Sequence, residues 1–296
     1  MDLARDQDRI WIPWSILAVG VVAASVSAIL IRYADGASGV ALSFWRSAAG
    51  SLVLLPFTIR RLRALDARDL LLPAVAGVCL AAHFASWITS VNMTTIAASV
   101  LLVSTTPIFV ALAARWLFGE SMRSWGWLGI VLALGGTALI AGLDFQGSSA
   151  MGNLLALIGG ITVAGYALAG QRSRQRLGIL EYAVVTYGVS AAVLLVWCVV
   201  GNIGLTGYPA QTWWAIVGLI VGPQLLGHTL INFALRDIDA TRVSMAIMAE
   251  PIIAISLAYL LFTEIPSTMA YPGGVAILIG IYLVSVARQS PVIISE

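Results

Sequence analysis

Long apolar stretches follow one another along almost the whole chain, and only short polar connections separate them. Ten of these stretches are long enough to cross a bilayer as a helix, which takes about 20 apolar residues. The segments are 12–33, 38–58, 70–91, 95–118, 124–142, 152–171, 180–201, 211–234, 240–262 and 268–287. The short alternating strands of a membrane β-barrel are absent from the pattern. It therefore predicts an all-α polytopic membrane protein with ten transmembrane helices.

The amino-acid composition is that of an integral membrane protein. Of the 296 residues, 60% are hydrophobic and 10% are charged, whereas a soluble domain carries about 25% charged residues. Cys79 and Cys198 both fall inside apolar segments, so we interpret them as small apolar fillers. The leader MDLARDQDRI mixes aspartates with arginines, which does not suit a cleavable signal peptide, and we expect the first segment to stay.

The positions of arginine predict an orientation. The chain has no lysine, so its 16 basic residues are all arginine. If the N-terminus is cytoplasmic and ten helices alternate, all arginines except Arg32 and Arg46 fall at cytoplasmic helix ends. Cytoplasmic loops of membrane proteins carry such an excess of positive charge. The distribution predicts a multi-pass membrane protein with both termini in the cytoplasm.

One part of the chain is written twice. Residues 107–139 and 251–283 are 144 positions apart and share 11 of 33 residues, including Pro107/Pro251, Glu120/Glu264 and Gly129/Gly273. Five helices per half is an odd number, so the second half must run the opposite way through the membrane. We predict two inverted repeats, 12–142 and 152–287, a construction typical of secondary transporters.

The shared residues have structural and functional interpretations. Glu120 and Glu264 each precede a helix whose N-terminus a carboxylate can cap. Gly129 and Gly273 allow close approach of the fifth and tenth helices. Prolines interrupt two helices at matching positions of inverted halves, which points to a binding site, although they are also explained as kinks in buried helices.

Thr106 and Glu250 come directly before Pro107 and Pro251. Glu250 is one of four ionisable residues in the apolar segments that we select, since such groups tend to face a cavity or one another. Arg46 is the second. It is explained either by an ion pair with Glu250 or by binding of a substrate carboxylate, which a guanidinium holds with two hydrogen bonds.

The remaining candidates are histidines and aromatic residues. His83 and Trp87 lie four residues apart and so share one helix face. His228 forms a polar ridge with Gln224 and Asn232, which either lines a vestibule or bonds between helices. Tyr166 adds an amphipathic aromatic ring near the same depth.

Several of these motifs resemble a known family. The repeated order of proline, apolar run, glutamate and glycine-rich helix, with SFWRSAAGSLVLLP at 43–56 and AAHFASWITSVNMTTIAASVLLVSTTPIF at 81–109, resembles the EamA-like domain of the drug/metabolite transporter superfamily in two tandem copies. The pattern is similar to amino-acid exporters of the YddG type. The segment 180–195 departs from it, because an arginine equivalent to Arg46 is missing there.

The resemblance implies an inner-membrane secondary carrier that exports small metabolites, and we expect amino acids including aromatic ones. Export of cationic or aromatic drugs, nucleosides or purines is the alternative within transport, and a membrane scaffold or intramembrane enzyme is the alternative outside it. The sequence contains no nucleotide-binding GxxxxGK[ST] loop, HExxH or CxxC. We therefore expect no enzyme activity, metal, cofactor or nucleic-acid partner. Proton coupling and uniport both stay open, and one duplicated chain suffices for a monomer.

Overall fold

The computed structural model describes residues 3–142, 149–263, 265–287 and 289–291, which are overwhelmingly helical. The N-terminal part contains α1 (Leu3–Ser25), α2 (Ser27–Tyr33), α3 (Gly39–Leu62), α4 (Ala67–Met93), α5 (Ile96–Val103), α6 (Thr106–Phe118) and α7 (Ser124–Ala141). The C-terminal part contains α8 (Ala150–Arg174), α9 (Ile179–Val200), α10 (Ala210–Leu219), the π-helix π1 (Ile220–His228), α11 (Thr229–Ala234), α12 (Ala240–Ile247), α13 (Glu250–Phe262) and α14 (Ala270–Val286).

Two short strands depart from the predicted all-α pattern. β1 (Glu120–Met122) pairs antiparallel with β2 (Gln289–Pro291), with Glu120 opposite Pro291. Three-residue strands carry too few positions for an alternating pattern, so the sequence gives no signal for them.

The helices are suited to a bilayer. Within the described residues nine helical stretches are long and apolar enough to cross a membrane, from Trp11–Ile31 to Ala240–Leu261. The tenth predicted segment corresponds to α14, an apolar helix of 17 residues that falls short of that length. The structure confirms a helical protein with many membrane spans, and the count of ten stays a prediction.

The distribution of side chains is that of a membrane protein. Large apolar side chains lie on the surface: Phe57, Trp116 and Val200 are 73%, 85% and 78% exposed. A soluble protein does not cover its surface with large apolar groups to this extent. Small polar residues lie inside instead. Ser47 of α3 and Ser190 of α9 are buried, with their hydroxyl oxygens 3.3 Å apart. Such hydrogen bonds help to hold membrane helices together.

Two membrane helices are broken at positions related by the repeat. The interruption between α5 and α6 comes just before Pro107, and that between α12 and α13 comes just before Pro251. Proline has no N–H, so the carbonyl groups of Val103 and Ile247 lose their normal helical donors. The predicted interruptions are therefore real breaks. The corresponding helices begin and end 144 residues apart.

The packing of α7 on α14 depends on glycine. Gly129 faces Gly280 and Gly136 faces Gly273, so the two helices run antiparallel. A Cβ on Gly129 would lie 2.7 Å from the carbonyl oxygen of Gly280, and one on Gly280 would lie 2.4 Å from that of Gly129. These backbones touch, so no side chain fits between them.

Candidate functional site

A buried arginine forms the centre of the polar interior. Arg46 of α3 is 4% exposed, and its Nε donates to Oε1 of Gln224 over 2.9 Å. Its guanidinium carbon lies 4.6 Å from the centre of the Phe84 ring, a cation–π contact. The Nη2 group is buried and donates to no acceptor in the described structure. Part of the binding capacity of Arg46 is therefore unused.

Gln224 is held in place by the unusual backbone around it. It lies in π1, which contains Pro223, and π-helical segments are frequent at functional sites. A Cβ on Gly50 would lie 2.9 Å from Cγ of Gln224, so glycine at that position leaves the room that this side chain occupies. The sequence grouped Gln224 with His228, but it gave no sign that Gln224 would bind Arg46.

His83 and Trp87 lie together on α4, as their spacing predicts. Their rings stack with centres 5.9 Å apart and planes 4° from parallel. Nδ1 of His83 lies 2.9 Å from the carbonyl oxygen of Gly159. A carbonyl only accepts, so Nδ1 carries the proton and Nε2 of the neutral ring is an acceptor. The indole Nε1 of Trp87 is buried and donates to no group among the described residues.

Tyr166, His228 and Asn232 form a hydrogen-bonded group beside this pair. Nδ2 of Asn232 donates to the Tyr166 hydroxyl over 2.5 Å, and that hydroxyl lies 3.4 Å from Nδ1 of His228. The His228 ring also meets the Phe84 ring edge to face, with centres 5.7 Å apart. Phe84 thus connects Arg46 with the histidines, and an isolated phenylalanine in an apolar run gave no sequence signal for that role.

Thr106 and Glu250 occupy equivalent positions at the two helix breaks, each as the first residue after the interruption. The Thr106 hydroxyl donates to the carbonyl oxygens of Val103 and Gly160, over 2.7 and 3.1 Å. Glu250 lies within electrostatic range of Arg46, but the described residues show no ion pair between them. The structural ion pair offered as one explanation of Arg46 is not formed here.

The residues predicted as scaffold lie elsewhere. Gly129 and Gly273 pack in the α7–α14 contact, as expected from close helix approach. Glu120 does not cap α7, because the N-cap of that helix is Arg123 and no side chain bonds there. Its carboxylate instead accepts a hydrogen bond from Gln171 over 2.7 Å. Glu264 lies outside the described residues.

The residues Arg46, His83, Trp87, Tyr166 and His228 are linked through ring contacts and hydrogen bonds. Buried polar groups are normally hydrogen-bonded, yet three donors here have no acceptor: Nη2 of Arg46, Nε1 of Trp87 and Nε2 of Gln224. The acceptor Oδ1 of Asn232 also lacks a donor, so the unmet need is mainly for acceptor atoms, next to aromatic surfaces. The described residues hold no cluster of side chains suited to a metal ion.

Comparison with known proteins identifies the architecture. The EamA-like transporter family matches residues 10–142 and again residues 150–286. The uncharacterized transporter YdfC of Bacillus subtilis is 25% identical over 244 residues, which is 81% of this chain and 79% of that protein. The pseudopaline exporter CntI of Pseudomonas aeruginosa PAO1 is 23% identical over 90% of this chain and 93% of its own.

Two further similarities agree with this. The uncharacterized inner membrane transporter YedA of Escherichia coli K12 is 23% identical over 81% of this chain and 79% of its own. A solved crystal structure superimposes with a TM-score of 0.77, at 17% identity, over 91% of this chain and 96% of that one. At that identity the superposition bears on the fold alone.

Proposed function

The chain belongs to the EamA-like transporter family and is a membrane transporter rather than an enzyme, and we propose that it exports small metabolites, specifically amino acids including aromatic ones. The observation that carries the proposal is the set of unsatisfied donors around Arg46. They support a ligand that supplies acceptor atoms.

The proposal places a substrate carboxylate on Arg46. A buried guanidinium is costly without a counter-charge, and here it has a neutral amide and a ring as partners. A carboxylate supplies two acceptor oxygens and one negative charge, so it satisfies Nη2 with a charge-assisted hydrogen bond. Binding thereby gives Arg46 the negative charge and the hydrogen-bond acceptor that its protein partners do not supply.

Glu250 is proposed to hold the ammonium group. Arg46 and Glu250 interact electrostatically without forming an ion pair, and a zwitterion placed between them complements both. Phe84, Trp87 and Tyr166 then offer aromatic surface for the substrate side chain. Stacked and edge-to-face contacts with such rings favour aromatic and large apolar substrates.

We also propose ten membrane helices in two inverted halves, with α14 as the tenth. The α7–α14 contact supports this, because a shift of 144 residues converts the pair Gly129–Gly280 into Gly273–Gly136. Antiparallel helices whose contacts interchange in this way suit a two-fold axis in the membrane plane. The paired breaks before Pro107 and Pro251 supply flexible points at equivalent depths, and the halves rock around the site between them.

The proposed orientation rests on one end of the bundle, which we call the arginine-rich face. Contacts connect helix termini there: Arg61 with Glu181 at 3.5 Å, and the Gln175 amide with the Arg236 carbonyl at 3.0 Å. The residues that define it are Arg60, Arg61, Arg63, Arg115, Arg123, Arg172, Arg174, Arg176, Arg236 and Arg242. We assign this face and both termini to the cytoplasm by the positive-inside rule.

The function is tested with purified protein in proteoliposomes. We expect saturable uptake of radiolabelled phenylalanine, tryptophan or related amino acids, and strong loss of uptake in Arg46→Gln. Arg60→Gln removes an exposed arginine at the end of α3 and is the matched control. Absence of flux for every amino acid in liposomes that carry correctly folded protein contradicts the proposal. The same liposomes with and without a proton gradient distinguish proton coupling from uniport.

The unpaired Glu250 also favours a second candidate function, efflux of cationic aromatic drugs, and the aromatic lining suits nucleosides and purines. Glu250→Gln separates these functions. If amino acids are the substrates, Glu250→Gln weakens transport of zwitterionic amino acids. Monocarboxylates without an amino group do not need Glu250, and they still compete for binding to this variant. Selective loss of cation transport, with no amino-acid flux in the parent protein, supports the drug exporter.

A further inference from the structure

The helices around the candidate site form two packed groups. We call α4, α5, α6 and α8 helix group A, since α8 packs against the other three. We call α1, π1, α11, α12 and α13 helix group B, since α1 packs against the other four. These contacts define the two groups whose packing is compared below.

In the described part of the chain the two groups meet within the candidate site, where Phe84 and Tyr166 contact His228, and near the arginine-rich face. Near the arginine-rich face, α12 packs on α6 and α8, and α8 also packs on α11. The repeat relates α6 to α13 and α12 to α5, so the equivalent contact at the opposite end is that of α13 with α5. No packing of comparable extent joins those two helices in the described structure. The groups are therefore packed together at the arginine-rich face, whereas α5 and α13 at the other end are not packed to a comparable extent in the described structure.

An apolar plug fills the closed end. Side chains from both groups contribute to it, and all are nearly inaccessible: Val110 and Leu168 from group A, with Ile231 and Val243 from group B, are 0%, 5%, 5% and 1% exposed. Burial of this apolar surface stabilises the closed end, but the hydrophobic effect is non-directional and does not fix how the helices are oriented. A directional contact at the rim of the plug comes from another residue.

Gln171, near the end of α8, makes that contact. Its Oε1 accepts a hydrogen bond from the backbone N–H of Ala240, the first residue of α12, over 2.7 Å. The first N–H groups of a helix have no partners inside the helix, so the amide side chain satisfies one of them. This hydrogen bond runs directly from group A to group B.

Glu120 fixes the direction of the Gln171 side chain. Its Oε1 accepts from Nε2 of Gln171 over 2.7 Å, which leaves the amide oxygen turned toward α12. Glu120 is itself held in β1, directly after Gly119, whose φ of 68° ends α6. Burial raises the pKa of Glu120, and the hydrogen bond from Gln171 opposes that shift. The acid is thus part of a supported arrangement within group A.

We propose that Gln171 is a latch that keeps the arginine-rich face closed, and that the structure is the state open toward the opposite face. Substrate entering from the arginine-rich face then requires Gln171 to release the Ala240 N–H as α12 moves away from α8. Gln171 acts through helix position and does not touch substrate. The inference rests on the proposed movement of the two halves and is independent of the substrate class.

The latch is tested by electron–electron distance measurements on the full chain in lipid nanodiscs, with no substrate added. Cys79 and Cys198 are first replaced by alanine. One pair of spin labels, at Arg115→Cys and Arg236→Cys, spans the groups at the arginine-rich face. A second pair, at Met93→Cys and Leu261→Cys, spans them at the opposite end. All four positions are exposed, so labels there leave the packing intact.

In Gln171→Ala we expect the first distance to lengthen and the second to shorten. Removal of hydrogen bonds of this kind changes a two-state ratio by about fivefold to thirtyfold. Gln211→Ala, an exposed glutamine at the start of α10, is the matched control and leaves both distances as in the parent. Glu120→Ala tests the support of the latch and shifts both distances in the same directions as Gln171→Ala, to a smaller extent.

Unchanged distances in Gln171→Ala overturn the proposal, and so does lengthening at both ends, which means loosened packing rather than an opened gate. Amino-acid transport plays no part in the measurement. If Gln171→Ala shifts the distances but no amino acid is transported, the latch proposal stands and the amino-acid proposal fails. If amino acids are transported but the distances do not change, only the latch proposal fails.

Discussion

At the scale of single residues, the unusual property of this protein is a buried arginine whose partners are neutral. Arg46 donates to Gln224 and lies over Phe84, and its Nη2 is unused. Such an arrangement is unfavourable for a merely structural arginine, since buried charges are normally paired. It suits the proposed binding site, because a substrate carboxylate would complete it.

Arg46→Lys tests whether the planar fork is needed in addition to the positive charge. Lysine keeps the charge and loses the paired geometry. Loss of one charged hydrogen bond costs roughly 1.5–3 kcal/mol, so we expect the substrate Kd to rise by roughly tenfold to a hundredfold. Calorimetric titration of detergent-purified protein measures this. An unchanged Kd means that Arg46 acts only as a point charge or does not contact substrate.

The sequence selected individual polar residues but not the residues they contact. The cost of ionisable groups in a membrane selects Arg46, His83, His228 and Glu250 without any structure. It does not say which of them touch. Gln224 and Phe84 complete the surroundings of Arg46, and Glu120 bonds Gln171 instead of capping the next helix. Contacts between distant segments are set by helix packing, which a single sequence does not specify.

At the scale of helices, glycine positions carry the packing information. Gly280 and Gly135 both lie in the α7–α14 pair of helices, but a Cβ on Gly280 meets the Gly129 carbonyl oxygen at 2.4 Å, whereas one on Gly135 meets nothing within 4 Å. The same substitution therefore has opposite consequences at the two sites.

We predict that Gly280→Ala destabilises the protein by about 1–3 kcal/mol, because the added methyl group forces the helices apart. Gly135→Ala is the control, and we expect it to be neutral or to stabilise by about 0.4–1 kcal/mol, since alanine restricts the unfolded chain. Thermal unfolding in detergent, followed by size-exclusion chromatography, measures both. Equal melting temperatures for the two variants contradict the close contact.

The sequence predicted the helix breaks but did not predict the π-helix π1. Pro107 and Pro251 each remove a backbone donor, and the breaks appear beside them. Pro223 removes a donor too, yet there the chain continues as π1 instead of breaking. Proline alone does not choose between these outcomes. At Pro223 the π-helix packs against both α1 and α3.

At the scale of the whole molecule, arginine distribution and bundle geometry agree on two distinct ends. The arginine-rich face is closed by the apolar plug and by Gln171. The other end holds few charges, and there α5 and α13 are not packed together in the described structure. A carrier needs such a difference between its ends in each of its states.

The orientation predicts the behaviour of reporter fusions. A fluorescent protein fused to the C-terminus folds only in the cytoplasm, so we expect bright cells, and alkaline phosphatase at the same position is expected to be inactive. Insertion of the two reporters at Gly207, in the connection between α9 and α10, gives the reverse pattern. Active phosphatase at the C-terminus contradicts the assignment of the arginine-rich face to the cytoplasm.

The sequence by itself determined the class of molecule and its family. Long apolar segments, few charges and a duplicated proline–glutamate–glycine pattern are local properties of the chain, and the cost of placing polar groups in lipid turns them into membrane helices. The family match and the helical structure confirm that much. The candidate residues of the site were selected by the same cost.

Only the tertiary structure decided which of those residues meet, and which end of the bundle is closed. The Arg46–Gln224 bond joins residues 178 positions apart, and the Gln171–Ala240 bond joins residues 69 positions apart. Both depend on how helices lie against each other, which the proposed rocking of the two halves would change. One sequence would then serve both states, so it does not specify the contacts that distinguish them.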